Sequence, residues 1–215
     1  MSKHYHLVTY STEEERLNRL THGLGLLASC AGLVLLVIAA AKTGDPYRVV
    51  SCSIFGTVLT VFYLVSTLYH SVHSPKVRSL FRTLDHASIF VVIAATYTPF
   101  VLVTLRSNGG WSLFGIVWGL AVAGVVFKSF ATHKFGFLAP VLYVAMGWLI
   151  VVKINTLLTL MPEMGVFWLF AGGVTYTLGL VFYAIDRIPC NHAIWHLFVL
   201  GGSFCHFMAI YHYVI

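Results

Sequence analysis

The sequence predicts an all-α integral membrane protein with seven transmembrane helices. Three observations carry that reading. Hydrophobic residues make up 59% of the chain and charged residues only 9%. A soluble domain has about 25% charged residues, so this chain has too few to cover a water-facing surface. Seven apolar runs reach the ~20 residues that a helix needs to cross a hydrocarbon core of about 30 Å. Finally, Pro46, Pro75, Pro162 and Pro189 fall between those runs, where helices should break.

Residues 1–19 are expected to form a cytoplasmic and interfacial segment, and residues 20–215 a single seven-helix domain. Within the first segment, Ser11-Thr12-Glu13-Glu14-Glu15 reads as an N-cap followed by acids in a first helical turn. A short interfacial helix is expected there, entering the membrane past Arg16, Asn18 and Arg19. The spans are then Leu20 to Ala41, Val49 to Tyr69, Ala87 to Leu105, Trp111 to Phe130, Phe137 to Leu160, Val166 to Ile185 and Ala193 to Ile215. Pro99 and Pro140 lie inside or at the edge of spans and are expected to kink them. Lys153 is the one charge deep in a predicted span; it either snorkels or marks a misplaced boundary. Cys30, Cys52, Cys190 and Cys205 are scattered and imply no disulfide framework. The acidic residues before the first span are unlike a signal peptide, so no cleavage is expected.

Orientation follows from the basic residues. With the N-terminus in the cytoplasm, the inner face collects Lys3, Arg16, Arg19, Lys76, Arg78, Arg82, Lys128, Lys134 and Arg187. Lys42, Arg48, Arg106 and Lys153 are left outside, out of 13 in all. The bias puts the N-terminus inside and the C-terminus outside. The net charge of +6 sits in loops, where it signals topology and headgroup contact and not a nucleic-acid surface.

His192-Ala-Ile-Trp-His196 opens the last span. Two histidines four apart lie on one helical face, roughly 5–6 Å apart at Cβ, so both rings can reach one metal ion. Histidines in an apolar run call for a partner. His70, ending span two, and Asp85, opening span three, fall at the same cytoplasmic depth as His192 and His196. Three imidazoles and one open position make the ligand set of catalytic zinc. A carboxylate beside them can hold a water at the metal or orient a ligand. Ser66 lies one turn before His70 and faces the same site. Asp85 is also a candidate N-cap of span three, and the two roles are not exclusive. His22, with Glu15 and Asn18 one and two turns earlier, either closes the site as a polar network or packs among headgroups. Cys190 is a further thiolate candidate. His73, His86, His133 and His212 read as loop or interface residues. His206, mid-span, reads as buried packing with a hydrogen bond.

On these residues the chain resembles the hemolysin III proteins, the bacterial branch of the progestin and adiponectin receptor family. The resemblance covers essentially the whole chain. It rests on Glu15-x-x-Asn18-x-x-Thr21-His22, Ser66-x-x-x-His70, Leu84-Asp85 and His192-x-x-x-His196 taken together. It implies a Zn2+ ion held by His70, His192 and His196, with Asp85 near a water at the metal and Ser66 beside it. It also implies kinship with alkaline ceramidases, which are membrane zinc amidases. The long N-terminal domain and C-terminal tail of the animal receptors are not in this sequence, so hormone sensing is not expected.

The expected function is a zinc-dependent hydrolase of a lipid amide or ester, acting in membrane lipid homeostasis, with Asp85 as base or water-positioner. The alternative is a non-catalytic, zinc-stapled sensor of membrane state. A cytolytic or pore-forming role ranks below both, since secreted toxins fold first in water. A transporter would place its charges near the midplane, within internal repeats. A membrane lipid is the expected substrate or ligand, nucleic acid is not, and a homo-oligomer is left open. A reporter enzyme active only outside the cytoplasm is expected to be active when fused after Ile215 and silent when inserted after Arg78. The opposite pattern would invert the orientation.

Overall fold

The computed structural model describes residues 10–130, 138–185 and 187–215. Lys3, His133, Lys134 and Phe137, used in the expectations above, lie outside the described residues. Among the described residues the protein is all helical, with seven helices long and apolar enough to cross a membrane.

Helix α1 spans Thr12–Lys42. Ser11 caps it, its hydroxyl accepting from the Glu14 amide at 3.1 Å, and Glu13, Glu14 and Glu15 sit at the positive end of the helix dipole. The expected interfacial helix and the first span therefore form one continuous 31-residue helix. Helix α2, Pro46–Tyr69, begins with Asp45 as cap and Pro46 in the first turn, a position that needs no amide donor. Helix α3 starts at Pro75, with Ser74 at the N-cap position but making no side-chain cap hydrogen bond. Asp85 is thus well inside α3 and does not cap it. The polar turns bearing Lys76, Arg78 and Arg82 carry the helix past the apolar stretch on which the span was drawn.

Pro99 acts as expected. It offers no amide and crowds the carbonyl four residues back, and α3 (Pro75–Pro99) passes at that point into a π-helical turn, Phe100–Thr104. A second wide turn, Arg106–Gly110, leads into α4, Trp111–Phe130. Gly110 presses so close to the Phe100–Thr104 turn that a Cβ there would stand 1.9 Å from the Val101 carbonyl oxygen. Only glycine fits this turn.

The fifth span is broken into α5 (Leu138–Gly147), a 3-10 stretch (Trp148–Lys153) and α6 (Ile154–Leu160). The cause is the Tyr97 hydroxyl. It accepts from the Ile150 amide at 2.7 Å and donates toward the carbonyls of Met146 and Gly147 at 3.0 and 2.8 Å. An inserted hydroxyl of this kind replaces a rung of the helical ladder. Lys153 ends the 3-10 stretch, half-buried, with its amine beside Gly109 of the α3–α4 turn. It reaches out of the span, as a snorkelling lysine does. Helices α7, Glu163–Tyr183, and α8, Asn191–Tyr213, complete the bundle.

The spans form a ring. Each of α1 to α3 packs on its successor, α7 packs on α8, α5 bridges α3, α4 and α7, and α8 closes back on α1. Large apolar side chains such as Leu27, Val122, Val152 and Phe167 point outward, which is the surface that lipid requires. Close packing at the α1–α2–α8 junction depends on Gly25, where a Cβ would meet the Tyr63 ring at 2.6 Å and Leu200 at 2.8 Å. Gly25→Leu is expected to cost about 1–3 kcal/mol by overpacking and to lower the thermal midpoint in detergent. Gly119→Leu, at a glycine with no neighbour within 4 Å, should leave the midpoint in place.

Candidate metal centre

Three elements bring the site together. The end of α2 supplies His70, whose amide closes that helix on the Ser66 carbonyl at 3.1 Å. The first turns of α8 supply His192 and His196, on one helical face and edge to face with ring centroids 4.5 Å apart. Helix α1 runs beside both and carries the side chains that aim them. Each of the three histidines offers a ring nitrogen within 4.8 Å of those of the other two, and all three are buried.

The ring orientations are set from behind. His70 Nδ1 donates to Glu15 Oε2 at 2.7 Å, and Glu15 is also bonded to Arg78. This fixes the proton on Nδ1 and leaves Nε2 as the free lone pair. His196 Nδ1 lies 3.1 Å from the Thr21 hydroxyl. That hydroxyl already donates to the carbonyls of Leu17 and Asn18, so it accepts from the imidazole and again frees Nε2. His192 Nε2 stands 3.2 Å from His70 Nε2. Two imidazoles bound at 2.0–2.1 Å to one tetrahedral ion stand about 3.4 Å apart. The donor set therefore fits a single small cation with imidazole ligands.

Orphaned polar atoms point the same way. His192 Nδ1, His22 Nε2 and both amide atoms of Asn18 are buried without a hydrogen-bond partner among the described residues. Buried polar groups are almost always satisfied, so these fit a site that holds a metal and water. Asp85 is buried at 7% exposure, beside Ser66, and feels the charges of His70, Arg82 and Lys128. It is not a member of the three-histidine cluster.

Of the two readings open for His22, the structure gives a buried position against the cluster, reached through Ser66 and His196 and not through Glu15 or Asn18. His22 stacks on His196 at 3.5 Å and 16°, and its Nδ1 lies 2.6 Å from the Ser66 hydroxyl. Cys190 adopts a left-handed backbone, φ 55°, before α8 and does not join the cluster. His86, expected at a loop or interface, lies on α3 with Nδ1 on the Arg82 carbonyl and 3.7 Å from the Asp85 carboxylate. His73 lies in the α2–α3 loop and His212 in the exposed last turn of α8. His206 is buried in packing as expected, but its Nδ1 has no hydrogen-bond partner among the described residues. Tyr10 was not anticipated: its ring packs 5.0 Å from that of His192 and 5.9 Å from that of His70. Nothing local in the sequence signals Tyr10 or the Thr21–His196 contact.

A cavity of about 110 Å³ lies in the bundle interior, and none of the three clustered histidines lines it. Its lower wall holds Phe62, one turn from Ser66; Ile89, one turn from Asp85; and Trp195 and Val199, either side of His196. Its far wall holds Phe100 and His206.

Residues 10–207 match the protein-family model described as Haemolysin-III related. The chain is 44% identical over 208 residues to Hemolysin-3 of Bacillus cereus, covering 97% of this chain and 95% of the relative. It is 42% identical to the Hemolysin-3 homolog of Bacillus subtilis (strain 168), covering 96% and 97%. It is also 30% identical to the human Monocyte to macrophage differentiation factor, covering 94% and 84%. No solved structure matches the chain. Seven apolar spans and relatives that align end to end fit a multi-pass protein of the bacterial inner membrane, and the chain belongs to the hemolysin III family.

Proposed function

We propose that this protein is a zinc-dependent hydrolase of a lipid amide or ester, working at the cytoplasmic end of the bundle. The observation that carries the reading is that the helices bearing the three-histidine cluster also wall an apolar cavity, with Trp195 and Val199 of that wall on either side of His196 in the chain. A slot for a hydrocarbon chain thus lies one helical turn from the cluster along the chain, and lipid-binding pockets have this apolar character with a few convergent polar groups.

His70, His192 and His196 would hold the metal. Zinc bound there would polarise a carbonyl and make water a nucleophile near neutral pH. Asp85 takes the proton of the attacking water and returns it to the leaving amine or alcohol. The Ser66 hydroxyl, fixed by His22 at 2.6 Å, orients Asp85. Glu15 and Thr21 hold the ligating rings in the tautomer the site needs. The substrate arrives laterally from the bilayer, between helices, and its chain fills the cavity.

A second reading, a zinc-stapled sensor without turnover, is favoured by one observation. The cluster ties α2 to α8, and Glu15 and Arg78 extend the tie to α1 and α3, so a metal there would act as a structural clamp.

Purified wild-type protein is expected to carry about one zinc ion per chain, and the His192→Ala/His196→Ala variant essentially none, by elemental mass spectrometry. Chelation should lower the thermal midpoint of the wild type by several degrees, because ligand binding to the folded state stabilises it, and leave the variant unmoved. Zinc retained in the variant would remove the site. Turnover separates the two readings: wild type should cleave a lipid amide or ester, and Asp85→Asn should lose about 10²–10⁴-fold of the rate while keeping its zinc. Undiminished cleavage by His192→Ala would end the hydrolase reading. Zinc without turnover on any lipid amide or ester would leave the sensor.

A further inference from the structure

The cavity wall is polar in few places, and most of those polar groups are already satisfied by the protein. The Tyr97 hydroxyl is bound into the α5 ladder, Tyr176 bonds Ser203 at 2.9 Å, Thr177 holds the Trp148 indole at 3.1 Å, and Thr96 bonds its own helix at 2.8 Å. His206 differs. It lines the cavity and is 5% exposed. Its ring stacks on Tyr176, and its Nε2 edge packs against Gly172, where a Cβ would come within 2.6 Å. Its Nδ1 has no hydrogen-bond partner among the described residues. A buried ring nitrogen left without a hydrogen bond inside a membrane span is costly and calls for a partner. Here α7 has given up a side chain at Gly172 to make room for it.

We propose that His206 is a specificity residue, which hydrogen-bonds a second polar group on the lipid that fills the cavity. This rests on the lipid reading above and names the substrate class more closely. Ten residues of α8 separate His206 from His196, and at 1.5 Å per residue that places it about 15 Å along the axis from the metal centre. The ligand is therefore a long-chain amide or ester with one hydroxyl or carbonyl about 15 Å from the reacting carbonyl. A plain hydrocarbon chain would enter the same cavity but leave the imidazole unsatisfied, and losing a buried hydrogen bond carries a real penalty.

The test is binding, so it does not depend on catalysis. Two probes are compared on purified protein in detergent: a saturated long-chain fatty amide, and the same amide with one hydroxyl about 15 Å from its carbonyl. Wild type is expected to bind the hydroxylated probe about tenfold more tightly. His206→Phe should bind both equally, and His206→Asn, which keeps a donor and an acceptor, should recover part of the preference. The His192→Ala/His196→Ala variant should bind both probes more weakly but keep the ratio, so a protein without turnover still answers the question. Equal binding by wild type would overturn the proposal and leave a packing histidine satisfied by water. A preference that survives in His206→Phe, or failure of both probes to bind, would overturn it as well.

Discussion

A hydrocarbon interior offers no solvent to a polar side chain, so each imidazole placed there must be satisfied by the protein or by something the protein holds. The arrangement of this bundle follows from that constraint. Three of its histidines meet within 4.8 Å, a fourth stacks on one of them, and a carboxylate and a hydroxyl on α1 fix their free nitrogens inward. Helix α1 has to lie against both α2 and α8 for this to happen, and the ring of spans closes there. The packing requirement and the polar requirement select the same arrangement. Gly25 opens the space for it, and Asn18, Thr21 and His22, on the same helix, occupy the junction.

The sequence made the spans legible because hydropathy over twenty residues is a local property and needs no partner. Helix ends were less so. Asp85 looked like a start because the apolar stretch begins after it, whereas Ser74 and Pro75 start the helix and carry it through charged turns. The His192–His196 pair was legible from its period alone. Joining it to His70 required an argument from membrane depth, and the structure brings the three rings together. What stayed hidden is the set of contacts that orient them. Glu15 lies 55 residues from His70 and Thr21 lies 175 from His196, so no periodicity relates them. Glu15 reads from sequence as an acid of the first helical turn and a candidate neighbour of His22, and its contacts with His70 and Arg78 are visible only in three dimensions.

The broken fifth span teaches the same lesson from the other direction. Nothing between Leu138 and Leu160 forbids a regular helix, since Pro140 lies in its first turns. The irregularity comes from Tyr97 on another helix, whose hydroxyl displaces a backbone bond. Where α3 itself becomes irregular, the cause is in its own sequence at Pro99. Two similar departures from α-helical geometry thus have one local and one tertiary origin, and only the first could be anticipated from the chain.

His70 and His192 are separated by 122 residues, and that separation matters during biosynthesis. Ribosomes deliver the chain from its N-terminus, so the donor on α2 enters the bilayer while those on α8 are still unmade. A nascent bundle stalled after α7 holds a lone imidazole, which is a weak trap for a cation. An ion that needs all three imidazoles would be held only after the final helix docks against the first, so such a site would form last in the assembly of the bundle.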